Sequence, residues 1–254
     1  MIGRIAGVLP DRVFAGLISL VHPRVEPELR RVVGACPRDG VAVDVGAWYG
    51  PWTRWLSRRV EQVVAFEANP KVATVLRETA PPNAVVHQVA VSDRDGDTVE
   101  LAVSGGRGRE GRSSVEPRLS VGAERIAVPT RRLDSYDLDG VRLIKIDVEG
   151  HELAVLRGAR ALLERDHPVL VVELDVRHDN VAPVIEFLSG LGYRSSVLSD
   201  RGWVETGSEE LVGRQQAALA SGHRGGYAAT ALRGWDGYVN NVVFVHAASG
   251  WQPT

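Results

Sequence analysis

Residues 41–50 read Val41-Ala42-Val43-Asp44-Val45-Gly46-Ala47-Trp48-Tyr49-Gly50, and this stretch decides the fold. The first five form a short β-branched run, as buried strands of a parallel sheet do. Gly46 and Gly50 then mark a sharp turn into residues 52–59, which suit a helix. Similar apolar runs recur at residues 62–66, 84–91, 141–148 and 168–174. Between them Asn69 or Pro70 opens a helix to Thr79, and Leu153, Leu156 and Leu163 keep helical spacing. The alternation predicts an α/β protein with an open, doubly wound, mostly parallel sheet and helices on both faces. Such sheets bind ligands outside the carboxyl ends of their strands, near the switch point. Asp44 and Gly46, Glu67, Asp147 and Glu149, and Glu173 and Asp175 all fall at or just past those ends.

The chain has 254 residues, 44% of them apolar, enough for one large domain or a domain with an appendage. We divide it into an N-terminal helical segment, 1–37, and a main domain, 38–254. Insertions at about 94–136 and 200–237 interrupt the alternation with Asp95-Gly96, Gly105-Gly106 and other turn signals, and read as added hairpins, a lid or a substrate wall. A formal charge of -2 gives no net attraction to nucleic acid or an anionic membrane, so either partner requires a local basic patch. A single cysteine, Cys36, fits a reducing compartment and hence the cytoplasm. The apolar stretch at 13–21 is too short to span a membrane. It reads as an amphipathic helix with Asp11 as N-cap and Val13, Leu17 and Leu20 on the face packed against the domain or a homodimer partner.

The turn at 46–50 is the first half of a ligand site. A dinucleotide fingerprint needs a second glycine where Trp48 stands, so the loop suits a ligand without a pyrophosphate, such as the amino-acid end of S-adenosylmethionine. Gly46, Ala47, Trp48 and Gly50 line that approach. Asp44 either orders the turn or attracts the ammonium and sulfonium charges. Glu67, 21 residues after Gly46, ends the second strand where a carboxylate accepts bonds from ribose hydroxyls, with Ala68 beside it. Gln88 and Ser92, after the third strand, are expected to face the adenine.

Taken together, Val43-Asp44-Val45-Gly46-Ala47, Phe66-Glu67-Ala68-Asn69-Pro70, Val89-Ala90-Val91-Ser92-Asp93, Leu133-Asp134-Ser135 and the run from Lys145 to Glu152 resemble the FkbM-type methyltransferases in order and spacing. The closing Asn240-Asn241-Val242-Val243-Phe244 is similar as well. The resemblance implies a class I methyltransferase (Rossmann-like) seven-stranded sheet with an antiparallel final strand. It also implies S-adenosylmethionine as cofactor and O-methylation of small molecules or sugars.

Methyl transfer to a hydroxyl requires alignment and an activated nucleophile. Asp147, Glu173 and Asp175 follow neighbouring strands and are the candidate ligands of Mg2+, an arrangement resembling catechol-type O-methyltransferases. His151 and His178 are the candidate bases, and Lys145 shares a strand face with Asp147. The expected acceptor is a sugar or oligosaccharide, on whose C–H faces Trp203, Tyr227, Trp235 and Tyr238 could stack. A polyketide or other small metabolite is the alternative acceptor, and a nicotinamide-dependent oxidoreductase or a non-catalytic scaffold are the competing classes.

Overall fold

The structure, a computed structural model, describes residues 9–103, 124–221 and 238–251. Two helices lead, α1 (Asp11–Val25) and α2 (Glu28–Ala35). Then β1 (Val41–Val45), α3 (Pro51–Leu56), β2 (Gln62–Phe66), α4 (Pro70–Thr79) and β3 (Ala84–His87) alternate as the periodicity predicts. Asn69 caps α4 by accepting the Lys71 backbone N–H, and Pro70 occupies the first helical turn, where its missing donor costs nothing. The second half comprises β7 (Val141–Ile146), α5 (Glu152–Arg157), α6 (Arg160–Asp166), β8 (Val169–Glu173), α7 (Val181–Gly190) and β9 (Tyr193–Ser199). It closes with β10 (Gly202–Glu205), α8 (Ser208–Ala220) and β11 (Asn241–His246).

The main sheet has eight strands in the order β10-β9-β11-β8-β7-β1-β2-β3. β3, β2, β1, β7 and β8 are mutually parallel, and β11 runs antiparallel between β8 and β9. Seven strands match the expectation; the eighth, β10, is a hairpin partner of β9 from the 200–237 insertion. The predicted third strand also divides. Only Ala84–His87 pairs with β2, while β4 (Ala90–Val91) joins a second sheet with β5 (Thr98–Val103) and β6 (Glu124–Arg131). The predicted strands in the first insertion thus form an antiparallel pair docked on the end of the third strand.

Alternate residues of the strands feed two cores. Val43, Val45, Ile144, Ile146, Leu170 and Val172 pack beneath α5, α6 and α7, whereas Ala42, Val63, Leu143 and Val171 meet α2 and α3. Asp44 and Lys145, partners across β1 and β7, face the second layer, so both are enclosed among apolar side chains.

Two expectations for the N-terminus change. Pro10, not Asp11, is the N-cap of α1, and Asp11 sits in the first turn. Val13, Leu17 and Leu20 do share a face, but they are 47%, 44% and 72% exposed. Phe14, Ala15 and Ile18 are the buried residues instead, packed with Tyr49 and Val72. The helix is apolar on both sides, and the side carrying the aromatic ring meets the aromatic loop. Among the described residues no helix is long and apolar enough to cross a membrane.

Candidate active site

The carboxyl ends of β1, β2, β7 and β8 lie along one edge of the sheet because the strands are parallel. The chain proceeds from β1 outward through β2 and β3 and resumes on the other side at β7. The crevice between β1 and β7 is therefore the switch point. There Gly46 has φ +79, and a β-carbon on it would lie 1.7 Å from the Asp147 carbonyl oxygen. The glycine's first role is thus to let two strand-end turns meet. Asp147 N–H donates to the Val45 carbonyl (2.9 Å), and the N–H groups of Gly46 and Ala47 donate to Phe66 (2.9 and 3.0 Å). Trp48 also adopts a left-handed backbone, φ +51, and Gly50 is left-handed at φ +77 before α3.

Glu67 ties the loop to the second strand end. Its two carboxylate oxygens accept the backbone N–H groups of Trp48 (2.9 Å) and Asn69 (2.8 Å), leaving each oxygen a further lone pair. Burial pushes its pKa up to about 7, against the pull of those two N–H groups, with Asp44 and Asp147 adding like charge. Asp44 accepts the Thr53 hydroxyl at 2.5 Å and so anchors α3; burial raises its pKa to about 6. Ala68 packs against the second sheet, and Gln88 is exposed after β3. Ser92 is buried with its hydroxyl 2.9 Å from His151 Nε2.

Lys145 is the buried cation of the site, 1% exposed. Its ammonium donates to Asn241 Oδ1 (2.9 Å), lies 3.8 Å from Asp147 and stands over the Trp52 ring at 5.5 Å. Burial favours its neutral form, but Asp147, Glu26, Glu173 and Asp44 outweigh that and hold its pKa above the usual value. Trp52 in turn donates its indole N–H to Glu26 (2.7 Å), just past α1.

The three acids expected to hold magnesium do not form one site. Glu173 hydrogen-bonds Asp147 and accepts the Asn240 side-chain amide; burial and the Asp147 charge hold its carboxyl well above its ordinary pKa. Asp175 is committed elsewhere. It is gripped by Arg177 through two side-chain bonds (2.7 and 2.5 Å) and by Tyr238 O–H (3.1 Å). Despite its burial these bonds keep it below the usual carboxylate range. Among the described residues no three His, Cys, Asp or Glu side chains are grouped to hold a metal ion. The donor set does not fit magnesium.

The two histidines differ in setting. His151 is engaged by Ser92. The His178 side chain is 7% exposed, its Nε2 lies 3.2 Å from Glu149, and its buried Nδ1 has no hydrogen-bond partner among the described residues. The Glu149 bond raises the imidazole pKa against the effect of burial. Glu149 is held at φ +50, a strained setting for a residue with a β-carbon, and Gly150 follows at φ +101. Glu152 stabilises this turn by accepting Gly150 N–H (3.0 Å) and the Asn180 amide.

Residues missed in the sequence complete the frame. Gln215, 1% exposed on α8, donates to the carbonyls of Leu174 (2.7 Å) and Val239 (2.8 Å) and accepts Val176 N–H (2.7 Å). It clamps the end of β8 to the approach to β11. Asn240 and Asn241, adjacent amides ahead of an apolar strand, carried a readable signal; Gln215 in a Gly-rich stretch did not. Trp203 packs edge-on to Trp251 in the second core layer, away from these strand ends, while Tyr227 and Trp235 lie outside the described residues.

The chain is thus a doubly wound α/β protein with an acid-lined crevice at the β1/β7 switch point. Residues 33–195 match the family described as the methyltransferase FkbM domain, and the chain belongs to that family. No functionally curated protein sequence matches the chain. The chain is similar to the methyltransferase FkbM of Methylobacillus flagellatus, at 15% identity and TM-score 0.41, covering 83% of this chain and 44% of that one. It thus spans less than half of that protein. It is also similar to precorrin-8w decarboxylase of Methanobacterium thermoautotrophicum (14% identity, TM-score 0.44, covering 87% and 90%). An rRNA methylase of Streptococcus thermophilus is similar at 10% identity and TM-score 0.48, covering 87% and 94%.

Proposed function

We propose that the chain is an S-adenosylmethionine-dependent O-methyltransferase whose base is His178. One observation carries the reading: a buried imidazole with Nε2 held by Glu149 and a buried Nδ1 that has no hydrogen-bond partner among the described residues. Family membership supplies methyl transfer; this imidazole favours a hydroxyl acceptor, whose proton needs a base. With Nε2–H donated to Glu149, Nδ1 carries the lone pair that takes the hydroxyl proton, and the Glu149 carboxylate stabilises the imidazolium that results.

The cofactor fits the charge of the crevice. Asp44, Glu67, Asp147 and Glu173 surround the β1 and β7 ends against one buried ammonium, Lys145, and a cationic ligand bound there would favour the ionised forms of the acids whose pKa burial raises. When bound, S-adenosylmethionine supplies a methyl group on a sulfonium leaving group. Glu67 would hold the ribose hydroxyls through its free lone pairs, and the loop from Gly46 to Gly50 would carry the amino-acid end. Lys145 keeps Asp147 in place at the mouth of the crevice.

For the acceptor we propose a sugar or oligosaccharide. Asp175, Arg177 and Tyr238 form a polar rim beyond β8, suited to an acceptor rich in hydroxyls. Transfer of a labelled methyl group onto a panel of oligosaccharides and aglycones tests this. Labelled oligosaccharides are expected; labelling of aglycones alone overturns the acceptor, and labelling of amine acceptors alone overturns the O-methyl reading.

A further inference from the structure

The outward side of α1 is as apolar as its buried side. Val13, Leu17 and Leu20 are exposed, and Arg24 continues their line one turn after Leu20. A helix with apolar residues on both sides has a place for two partners, and the domain supplies one. Next to Leu20, the half-buried Trp55 donates its indole N–H to the Ser19 carbonyl (3.1 Å). The guanidinium groups of Arg30 and Arg58 lie 5.7 and 5.6 Å from its ring centroid. Arg24, Arg30 and Arg58 are all exposed, and among the described residues none forms an ion pair with an acid. Leu17, Leu20 and Arg24 lie on one side of α1, and Trp55 of α3, with Arg30 of α2 and Arg58 about its ring, neighbours that helix through Ser19; leucines, a tryptophan and arginines are the residues that membrane interfaces take.

We propose that this face docks on an anionic lipid surface. Leu17 and Leu20 enter the headgroup boundary, and Arg24, Arg30 and Arg58 meet lipid phosphates. Charge selects this occupant over a second copy, because lipid phosphates supply the counter-charge that Arg24, Arg30 and Arg58 lack among the described residues, and a second copy of the same arginine cluster does not. The net charge of -2 makes the interaction depend on this local cluster rather than on the whole molecule. Docking would also orient the site. Phe14, on the inner side of α1, meets Tyr49 edge-on at 5.2 Å, and Tyr49 meets Trp48 in the same way at 5.2 Å. The helix that touches lipid is therefore the helix that backs the 46–50 loop.

The experiment is co-sedimentation of the full chain with vesicles of phosphatidylglycerol and phosphatidylcholine, and with phosphatidylcholine alone, over a series of salt concentrations. Sedimentation velocity is run without lipid. The expected result is binding to the anionic vesicles that weakens with salt, and a monomer in their absence. Each of Leu17→Glu and Leu20→Glu should lower vesicle affinity roughly tenfold or more. Arg58→Glu should lower it less, and unchanged melting curves show that the variants fold. Three results overturn the proposal: no binding to anionic vesicles, binding that Leu17→Glu and Leu20→Glu leave intact, or a dimer that these variants dissolve, which would assign the face to a second copy.

Discussion

Gly46 and Asp147 meet backbone to backbone: a β-carbon on the glycine would fall 1.7 Å from the aspartate's carbonyl oxygen. Gly46→Ala therefore forces the β1 and β7 turns apart and also places a side chain at φ +79. We expect a loss of about 3 kcal/mol or more of stability in urea denaturation. Cofactor-product binding, measured by calorimetry, should fall to the detection limit.

His178→Asn should lower kcat by roughly a hundred- to ten-thousand-fold, with cofactor affinity unchanged. Glu149→Gln has a different signature. The wild-type imidazole pKa is raised first by the Glu149 bond, so its loss lowers that pKa. Because the base acts when deprotonated, the acid limb of the kcat profile should move to lower pH while the plateau falls. An acid limb that stays in place assigns the limb to another group.

The buried acids make the ligand-free protein sensitive to pH. Glu67 and Glu152 are pushed up to about 7 and Asp44 to about 6, chiefly by burial, from ordinary carboxylate values. The folded state thus binds more protons than the unfolded state between these limits. Their favourable contribution is complete below the ordinary values and is lost as pH rises through 6 to 7. The melting temperature of the ligand-free protein should fall from about pH 5 to pH 8. A cationic ligand favours the ionised carboxylates, so the stabilisation by S-adenosylmethionine should be larger at pH 8 than at pH 6, and Glu67→Gln should flatten both trends.

Removing the Lys145 ammonium leaves Asp147 and the neighbouring acids without their buried counter-charge. Lys145→Met should cost about 3–5 kcal/mol in chemical denaturation. Asn241→Ala removes one acceptor from the same ammonium and should cost about 1–3 kcal/mol. If the lysine variant is as stable as the wild type, the charge does not organise this site.

Asp175 spends its carboxylate on Arg177 and Tyr238. Turnover should therefore be unchanged after exhaustive chelation. A loss of activity restored by magnesium would show that Asp175 exchanges its partners for a metal.

The parallel half of the fold is legible because burial on both faces leaves continuous apolar runs at 41–45, 62–66 and 169–173, each ending at an acid or a glycine. The candidate site is legible to the same extent, since Asp44, Gly46, Glu67, Asp147 and Glu173 follow such runs. What each acid does is less so. Partners distant in sequence decide that Asp44 accepts Thr53, that Asp147 raises the pKa of Glu173, and that Asp175 pairs with Arg177 rather than a metal. Which face of α1 packs on the domain is not legible, for a related reason. Apolar residues occur on both of its sides, and only Tyr49 and Val72 determine which side is inward.

Lys145 has its hydrogen-bond acceptor at Asn241, and the ring beneath it, Trp52, has its own at Glu26. Glu26 falls before residues 33–195, the stretch matched to the family, and Asn241 falls after it. The crevice therefore depends on both flanks of that stretch. A shortened protein bounded by it would retain most of the crevice's acids and lose the two groups that balance them, and a chimera exchanging it would set those acids against another relative's flanks.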